Sequence, residues 1–220
     1  MAIEVSRSDD ILSGAALLFR AKGYHATSMN DVAEICRIQK PSLYHHFASK
    51  EDLALAVMEQ TQSYFDSYIF KYAYDEALSP EHKVLKLNQA LEEYFSIENS
   101  GCVFVNFAIE AMDSMMQFVE PIRHYFDTWY KAYRAIFGAI YKPEELEALA
   151  DSYVSDLQGA LIMMRVTGTD APLRRLSARL FRAVHSDLIA EGTTSLKYAP
   201  VTERQRRAEQ KAHRQPHPKQ

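Results

Sequence analysis

The sequence holds only two cysteines, Cys36 and Cys102, in 220 residues. That excludes a disulfide framework and makes a reducing compartment, the cytoplasm, the default expectation. Glycine and proline are also few, at seven and eight, which suits a mostly helical chain with short connections. No apolar run approaches the roughly 20 residues that span a bilayer, so no membrane partner is expected. The stretch MAIEVSRSDD is acidic without an apolar centre, unlike a secretory signal. Gly-x-Ser-x-Gly, His-Glu-x-x-His, a phosphate-binding glycine loop and a dinucleotide fingerprint are all missing. No enzyme, cofactor or metal site is therefore expected, and no internal repeat is apparent.

What is present is an ordinary globular composition, 47% hydrophobic and 25% charged, with enough chain to bury a substantial core. The net charge of −4 by itself disfavours a nucleic-acid partner, yet its distribution is uneven. Residues 1–50 carry a balance of +1, residues 51–200 of −9 and residues 201–220 of +4. An acidic body thus adjoins a less acidic head, and any DNA contact must rest on local phosphate contacts in that head.

One stretch, Thr27 to Leu53, carries the densest local signals. Ser28 is a helix cap, because its hydroxyl can accept from an amide one turn in, and Asp31 stands at the capping-box position. Val32, Ala33 and Cys36 share a helical face. Pro41 suits the first turn of a second short helix, where a missing amide hydrogen costs nothing. Leu43 and Phe47, four apart, anchor that helix to a core. Its other face offers Gln39, Lys40, Ser42, Tyr44, His45 and His46. Ser49 caps a third helix with Asp52 three residues on. Lys50 in that first turn opposes the helix dipole, which points to an external anion such as a phosphate.

Three pieces of this stretch, Gly23-Tyr24-His25-Ala26-Thr27-Ser28, Lys40-Pro41-Ser42-Leu43-Tyr44-His45-His46-Phe47 and Ser49-Lys50-Glu51-Asp52-Leu53, together resemble the DNA-binding domain of TetR-family (TetR/AcrR-like) transcriptional regulators. The resemblance implies an all-α protein. Residues 5–65 would form a three-helix DNA-binding domain with its helix-turn-helix at about 28–47. Residues 66–192 would form a larger helical regulatory and dimerisation domain, and residues 193–220 a disordered basic tail. It further implies a homodimeric repressor on a palindromic operator in double-stranded DNA, released by a small-molecule inducer. Ser28 and Lys50 would clamp phosphates. Gln39 would pair with adenine, Lys40 with guanine or a phosphate, and Pro41 with a thymine methyl. Ser42 would stand in the groove, Tyr44 at a phosphate or base edge, His45 at a phosphate, and His46 against backbone or core. The pattern is broken at Cys36-Arg37-Ile38, where relatives usually have a left-handed glycine. A non-glycine residue there costs about 1 kcal/mol, so a reshaped turn is expected.

Downstream, helices are expected over Ser8–Lys22, Glu51–Tyr74 as one long element, from Ser79-Pro80, from Gly101, from Glu120-Pro121, over Pro143–Val166 and over Leu173–Ala190. Gly159-Ala160-Leu161 and Ala171-Pro172-Leu173 resemble the family's dimerisation helices. Tyr68, Tyr94, Phe104, Phe107, Tyr125 and Trp129 lie on helices that line the ligand pocket in relatives, although an aromatic stripe is also plain core. Glu110 amid apolar neighbours is either a buried acid that contacts ligand or a capping or surface residue. Cys102 at a helix start is either an electrophile- or redox-reactive thiol activated by backbone amides or a small buried hydrophobe. Two other classes stay open: a small-molecule binding protein of the same fold without operator binding, and a helical enzyme.

Overall fold

The computed structural model describes residues 7–96 and 101–189, and among them every regular element is helical. The expected tail at 193–220 and the side chain of Arg7 lie outside the described residues.

Helix α1 (Arg7–Lys22) buries Ile11, Leu12, Ala15 and Phe19, one stripe of the 3.6-residue period. It stops at Gly23, whose φ of 84° suits a residue without Cβ. Helix α2 (Met29–Ile35) opens on the predicted capping box: Ser28 Oγ accepts from Asp31 N at 3.1 Å and Asp31 Oδ2 accepts from Ser28 N at 2.8 Å. Helix α3 (Lys40–His46) has Pro41 in its first turn and buries Leu43 completely. Helix α4 (Lys50–Tyr64) is capped by Ser49, whose Oγ accepts from Asp52 N at 3.0 Å.

The single long helix expected over Glu51–Tyr74 is interrupted. After α4 the chain winds as a π-helix over Phe65–Phe70 and returns to α winding in α5 (Lys71–Tyr74). Packing explains the change. Phe65 and Phe70 are both fully buried and their ring centroids are 5.6 Å apart. Residues five apart share a face only where the bonding is i to i+5.

The body is completed by α6 (Pro80–Ser96), α7 (Val103–Glu110), α8 (Met116–Phe137), α9 (Pro143–Thr167) and α10 (Ala171–Ile189). Helix α8 begins a turn ahead of the expected Glu120-Pro121 start, with Pro121 inside it. The extra turn carries Phe118 into the core against Phe107, ring centroids 5.6 Å apart. Helix α9 packs between α8 and α10, and α10 also lies on α6. Helix α1 touches α2 and α4 on one side and α7 on the other. The centre is aromatic: Trp129 meets Phe70 edge-on at 4.8 Å, and Phe104 stacks on Tyr125 at 3.9 Å with planes 8° apart.

Burial keeps the core phenols neutral. Tyr94 is pushed up to about 12 from its ordinary 10.0, and Tyr125 and Tyr133 are raised as well, in each case mainly by desolvation. These pKa values are higher in the folded than in the unfolded chain. Their contribution is therefore fully present below the unfolded tyrosine pKa of about 10 and is lost as pH rises beyond it. Thermal midpoints should stay level to about pH 9 and fall between about pH 10 and 12, with the loss reduced in Tyr94→Phe.

Candidate nucleic-acid interface

Helix α3 is held from one side only. Leu43 is fully buried and Phe47, just past the helix, packs on the core, while Gln39, Lys40, Pro41, Tyr44, His45 and His46 are exposed and Ser42 is half-buried. Gln39 occupies the N-cap position, yet its side chain makes no cap bond. Among the described residues no hydrogen bond or ion pair is found for the side chains of Gln39, Lys40, Ser42, Tyr44 or His45, and His46 only leans on the Phe47 ring at 6.5 Å. His46 is thus at the surface and not in the core. A short rigid helix presenting this many unspent donors and flat rings is chemically suited to reading polar edges and phosphates.

The turn before α3 keeps its left-handed geometry without glycine. Arg37 has φ 53°, the only positive φ at a non-glycine among the described residues. Its carbonyl and amide frame survives: Ile38 N donates to Ala33 O at 2.9 Å and Arg37 N to Glu34 O at 3.0 Å. The expected reshaping does not occur; the backbone accepts the strain because Ile38 and Cys36 pack on the core at both sides.

Two expected phosphate clamps are engaged inside the chain. The Ser28 hydroxyl accepts from Asp31 N and donates to Asp31 Oδ2 at 2.7 Å, which holds the Asp31 carboxyl below its usual range. Lys50 Nζ donates to the Tyr24 carbonyl at 3.1 Å and lies 4.2 Å from the Tyr24 ring centroid. The Lys50 ammonium, read from the sequence as poised for an external anion, is held by Tyr24 in the free chain.

Tyr24 belongs to a seam between head and body. The last carbonyls of an α-helix have no partners within it. In α1 one is closed locally, Gly23 N donating to Phe19 O at 3.0 Å, and the body adds donors: Asn106 Nδ2 of α7 donates to Phe19 O at 2.9 Å and Arg20 O at 3.0 Å, and Arg165 Nη2 of α9 donates to Ala21 O at 2.6 Å. Glu110, at the end of α7, grips the next residues. Its Oε2 accepts from His25 N at 2.9 Å and its carbonyl accepts from His25 Nε2 at 2.9 Å. A Cβ at Gly23 would collide with the Glu110 carboxylate, so glycine is needed there for contact as well as for φ. The Tyr24 ring completes the seam edge-on to Phe107 and Phe118, at 5.7 and 5.3 Å.

The expected ligand-pocket set is placed differently. Phe104, Phe107, Tyr125 and Trp129 are fully buried and stacked on one another's neighbours, filling the core instead of lining a space. Tyr94 sits beneath the Arg20 guanidinium, 4.8 Å from centroid to Cζ, and Tyr68 is 56% exposed. Glu110 is the seam residue just described. Cys102 is 5% exposed with its Sγ 3.8 Å from the Tyr125 hydroxyl. Burial pushes its thiol up, outweighing the α7 amides that would lower it.

Sequence reasoning missed Arg20, Asn106, Gln158 and Arg165. A signal existed for Arg20. It continues the row Leu12, Ala16, Arg20 at four-residue spacing along the buried side of α1 and is itself 4% exposed. A cavity of about 280 Å³ opens between α7 and α9, lined by Gly101, Cys102, Asn106, Gln158 and Arg165 among others.

Residues 11–57 match the family described as bacterial regulatory proteins of the tetR family, and residues 81–179 match the LmrA/YxaF-like transcriptional regulator C-terminal domain. The transcriptional repressor DhaR of Mycobacterium sp. (strain GP1) is 23% identical over 173 residues, covering 76% of this chain and 86% of that protein. The transcriptional repressor KstR2 of Mycolicibacterium smegmatis is 32% identical over 115 residues, 51% of this chain and 55% of that one. The fold is similar to that of a TetR transcriptional regulator from Legionella pneumophila, with TM-score 0.75 and 24% identity over 83% of this chain and 99% of that chain. A regulatory protein TetR from Rhodobacter sphaeroides gives 0.70 and 20% over 79% and 96%.

Two measurements follow from these geometries. Arg37→Gly relieves the left-handed strain and should raise unfolding stability by about 1 kcal/mol in urea titrations. Iodoacetamide at neutral pH should label the half-buried Cys36 ahead of the buried Cys102, in an order that peptide mapping reads. Rapid labelling of Cys102 in the folded chain would contradict its assignment as a buried thiol.

Proposed function

This chain belongs to the TetR family of bacterial regulatory proteins, and we propose that it is a ligand-responsive repressor that binds a palindromic operator as a homodimer. Family membership makes it a DNA-binding transcriptional regulator. The observation that carries the finer reading is α3: a short helix anchored by Leu43, with its outward donors unspent. In this reading residues 5–65 are the DNA head and residues 66–192 the regulatory body. Lys40, Tyr44 and His45 meet phosphates or base edges; Gln39, Pro41 and Ser42 stand at the bases; His46 lies along the backbone. Ser28 and Lys50 act by fixing the frame of the head. With a net charge of −4, affinity rests on these few contacts and not on the overall field.

The homodimer is supported by α9. Ile162, Met163 and Val166 are 53%, 46% and 70% exposed on one helix, and Gly159 has open space where its Cβ would stand. A glycine inside an exposed helix costs about 1 kcal/mol relative to alanine unless something approaches closely. A second copy of α9 and α10 is the approaching surface. The two α3 helices would then enter successive major grooves, about 34–36 Å apart. No described helix is long and apolar enough to cross a membrane, and a cytoplasmic setting fits a regulator that must reach DNA. The repressor sign is supported by the designations of DhaR and KstR2.

Fluorescence anisotropy on the gene's own upstream DNA, backed by selection from random duplexes, tests the reading. Lys40→Ala should weaken binding to all sequences and flatten the salt dependence by about one unit of slope. Gln39→Ala should relax preference at one base pair, worth about 1–3 kcal/mol. Gly159→Arg should convert a dimer to a monomer by light scattering and abolish operator binding with the fold intact. Failure to bind any duplex would leave the binding protein without operator function as the better account.

A further inference from the structure

We propose that the cavity between α7 and α9 binds a small organic acid, whose carboxylate draws Arg165 from α1 and so loosens the head from the body. This deepens the ligand-responsive reading above and rests on it. The cavity of about 280 Å³ admits about nine non-hydrogen atoms, taking the roughly 30 Å³ that a water occupies in the liquid as a guide. That is the size of benzoate.

Two wall residues, Gln158 and Arg165, and Arg20 behind the wall residue Gly101 select the ligand's charge. Arg20 is 4% exposed, and among the described residues no carboxylate lies within ion-pair distance of it. Its Nε is fixed on the carbonyl of Gly101, a wall residue, at 3.0 Å, and its Nη2 has no partner. A buried guanidinium without a counter-ion is a strong demand for negative charge nearby. Gln158 lines the cavity with both Oε1 and Nε2 buried and without partners. Buried polar atoms are normally bonded, so this pair is waiting for one. Arg165 also lines the cavity and forms no ion pair among the described residues; its only described bond is to Ala21 O, at 2.6 Å.

A carboxylate in this space accepts from Arg165 and from Gln158 Nε2, in the field of Arg20 and of the first amides of α7. The apolar remainder lies against Val105 and Leu161, and Ile162 and Val166, which the proposed second copy approaches, complete the wall. Gln158, Leu161 and Arg165 recur at three- and four-residue spacing, so α9 offers them on one face. The site and the seam share two side chains. Asn106 and Arg165 line the cavity and also hold the last carbonyls of α1. A charged acceptor in the cavity outcompetes the neutral Ala21 carbonyl for the guanidinium. The acid therefore favours a state in which the head is less firmly tied, which is the differential affinity that release requires.

The test uses the full chain and three matched pairs: benzoate with benzamide, phenylacetate with phenylacetamide, and hexanoate with hexanamide. Calorimetry without DNA reads binding. At least one acid is expected to bind tenfold or more tighter than its amide. Gln158→Leu is expected to lose that binding tenfold or more while keeping or raising the melting temperature of the free chain, because two unpaired polar atoms have gone. A purely structural glutamine would lower it. In a separate anisotropy arm, the acid that binds is expected to weaken DNA binding in the native chain and to leave it unaltered in Arg165→Gln. Equal binding of acids and amides, binding by no acid at millimolar concentration, or unchanged binding in Gln158→Leu overturns the site. A chain that binds acid but no DNA leaves the site standing and removes the regulator reading instead. An acid that binds but weakens DNA binding equally in both chains overturns the role given to Arg165.

Discussion

The constraint on which the rest of the structure depends is the set of carbonyls at the end of α1 that the helix itself leaves open. A helix end that abuts another part of the chain can draw donors for them from it. Here the donors come from far along the chain, Asn106 and Arg165, so the first helix of the DNA head is finished by the body. That arrangement forces several neighbours. Gly23 must lack a side chain so that Glu110 can reach His25. Tyr24 must turn inward onto Phe107 and Phe118, and its carbonyl is then left for Lys50. Head and body are thereby joined by directional polar bonds laid over an aromatic contact. Polar bonds of this kind can be exchanged for others of similar strength, whereas the aromatic centre around Trp129 cannot be opened without large loss.

The division of labour follows from those two kinds of contact. The core of α6, α8, α9 and α10 is close-packed, and its rings fill each other's gaps. A cavity with an unpaired buried glutamine on its wall lies at its edge, beside the seam. Helix α3, in contrast, has its polar groups free because it is only seven residues long and has a single buried anchor. A change at the seam therefore meets little resistance from within the head.

Local chemistry was the most legible part of the sequence. Ser28 with Asp31, Pro41 in its first turn, Ser49 with Asp52 and the stop at Gly23 are each set by neighbours within four residues, and all four stand as read. The family resemblance also rested on such short-range pieces. What depended on distant partners was not legible. Nothing near Glu110 in sequence says that it faces His25, 85 positions away. Lys50 reads as an unpaired cation until Tyr24 is placed beside it. The aromatic residues were rightly identified as apolar, but periodicity does not tell a filled core from a lined pocket. The thiol of Cys102 illustrates the same limit: the helix amides that activate a cysteine are visible in sequence, and the burial that overrides them is not. At Arg37 a local rule was overruled by its surroundings, since the packing of Cys36 and Ile38 holds the backbone where an arginine alone would not go.

The π-wound stretch Phe65–Phe70 lies on the rod that leaves the head and enters the body. A turn of this kind accommodates one residue beyond what α winding requires. Each residue of an α-helix advances the azimuth by about 100°. The extra residue therefore sets the rotational phase between the start of α4 and everything that follows, much as a shim sets the clocking of a shaft. Lineages that lost or gained one residue here would have to re-cut the whole facing surface at once. The length of this stretch is for that reason a stricter character of the protein than the identity of most side chains on it.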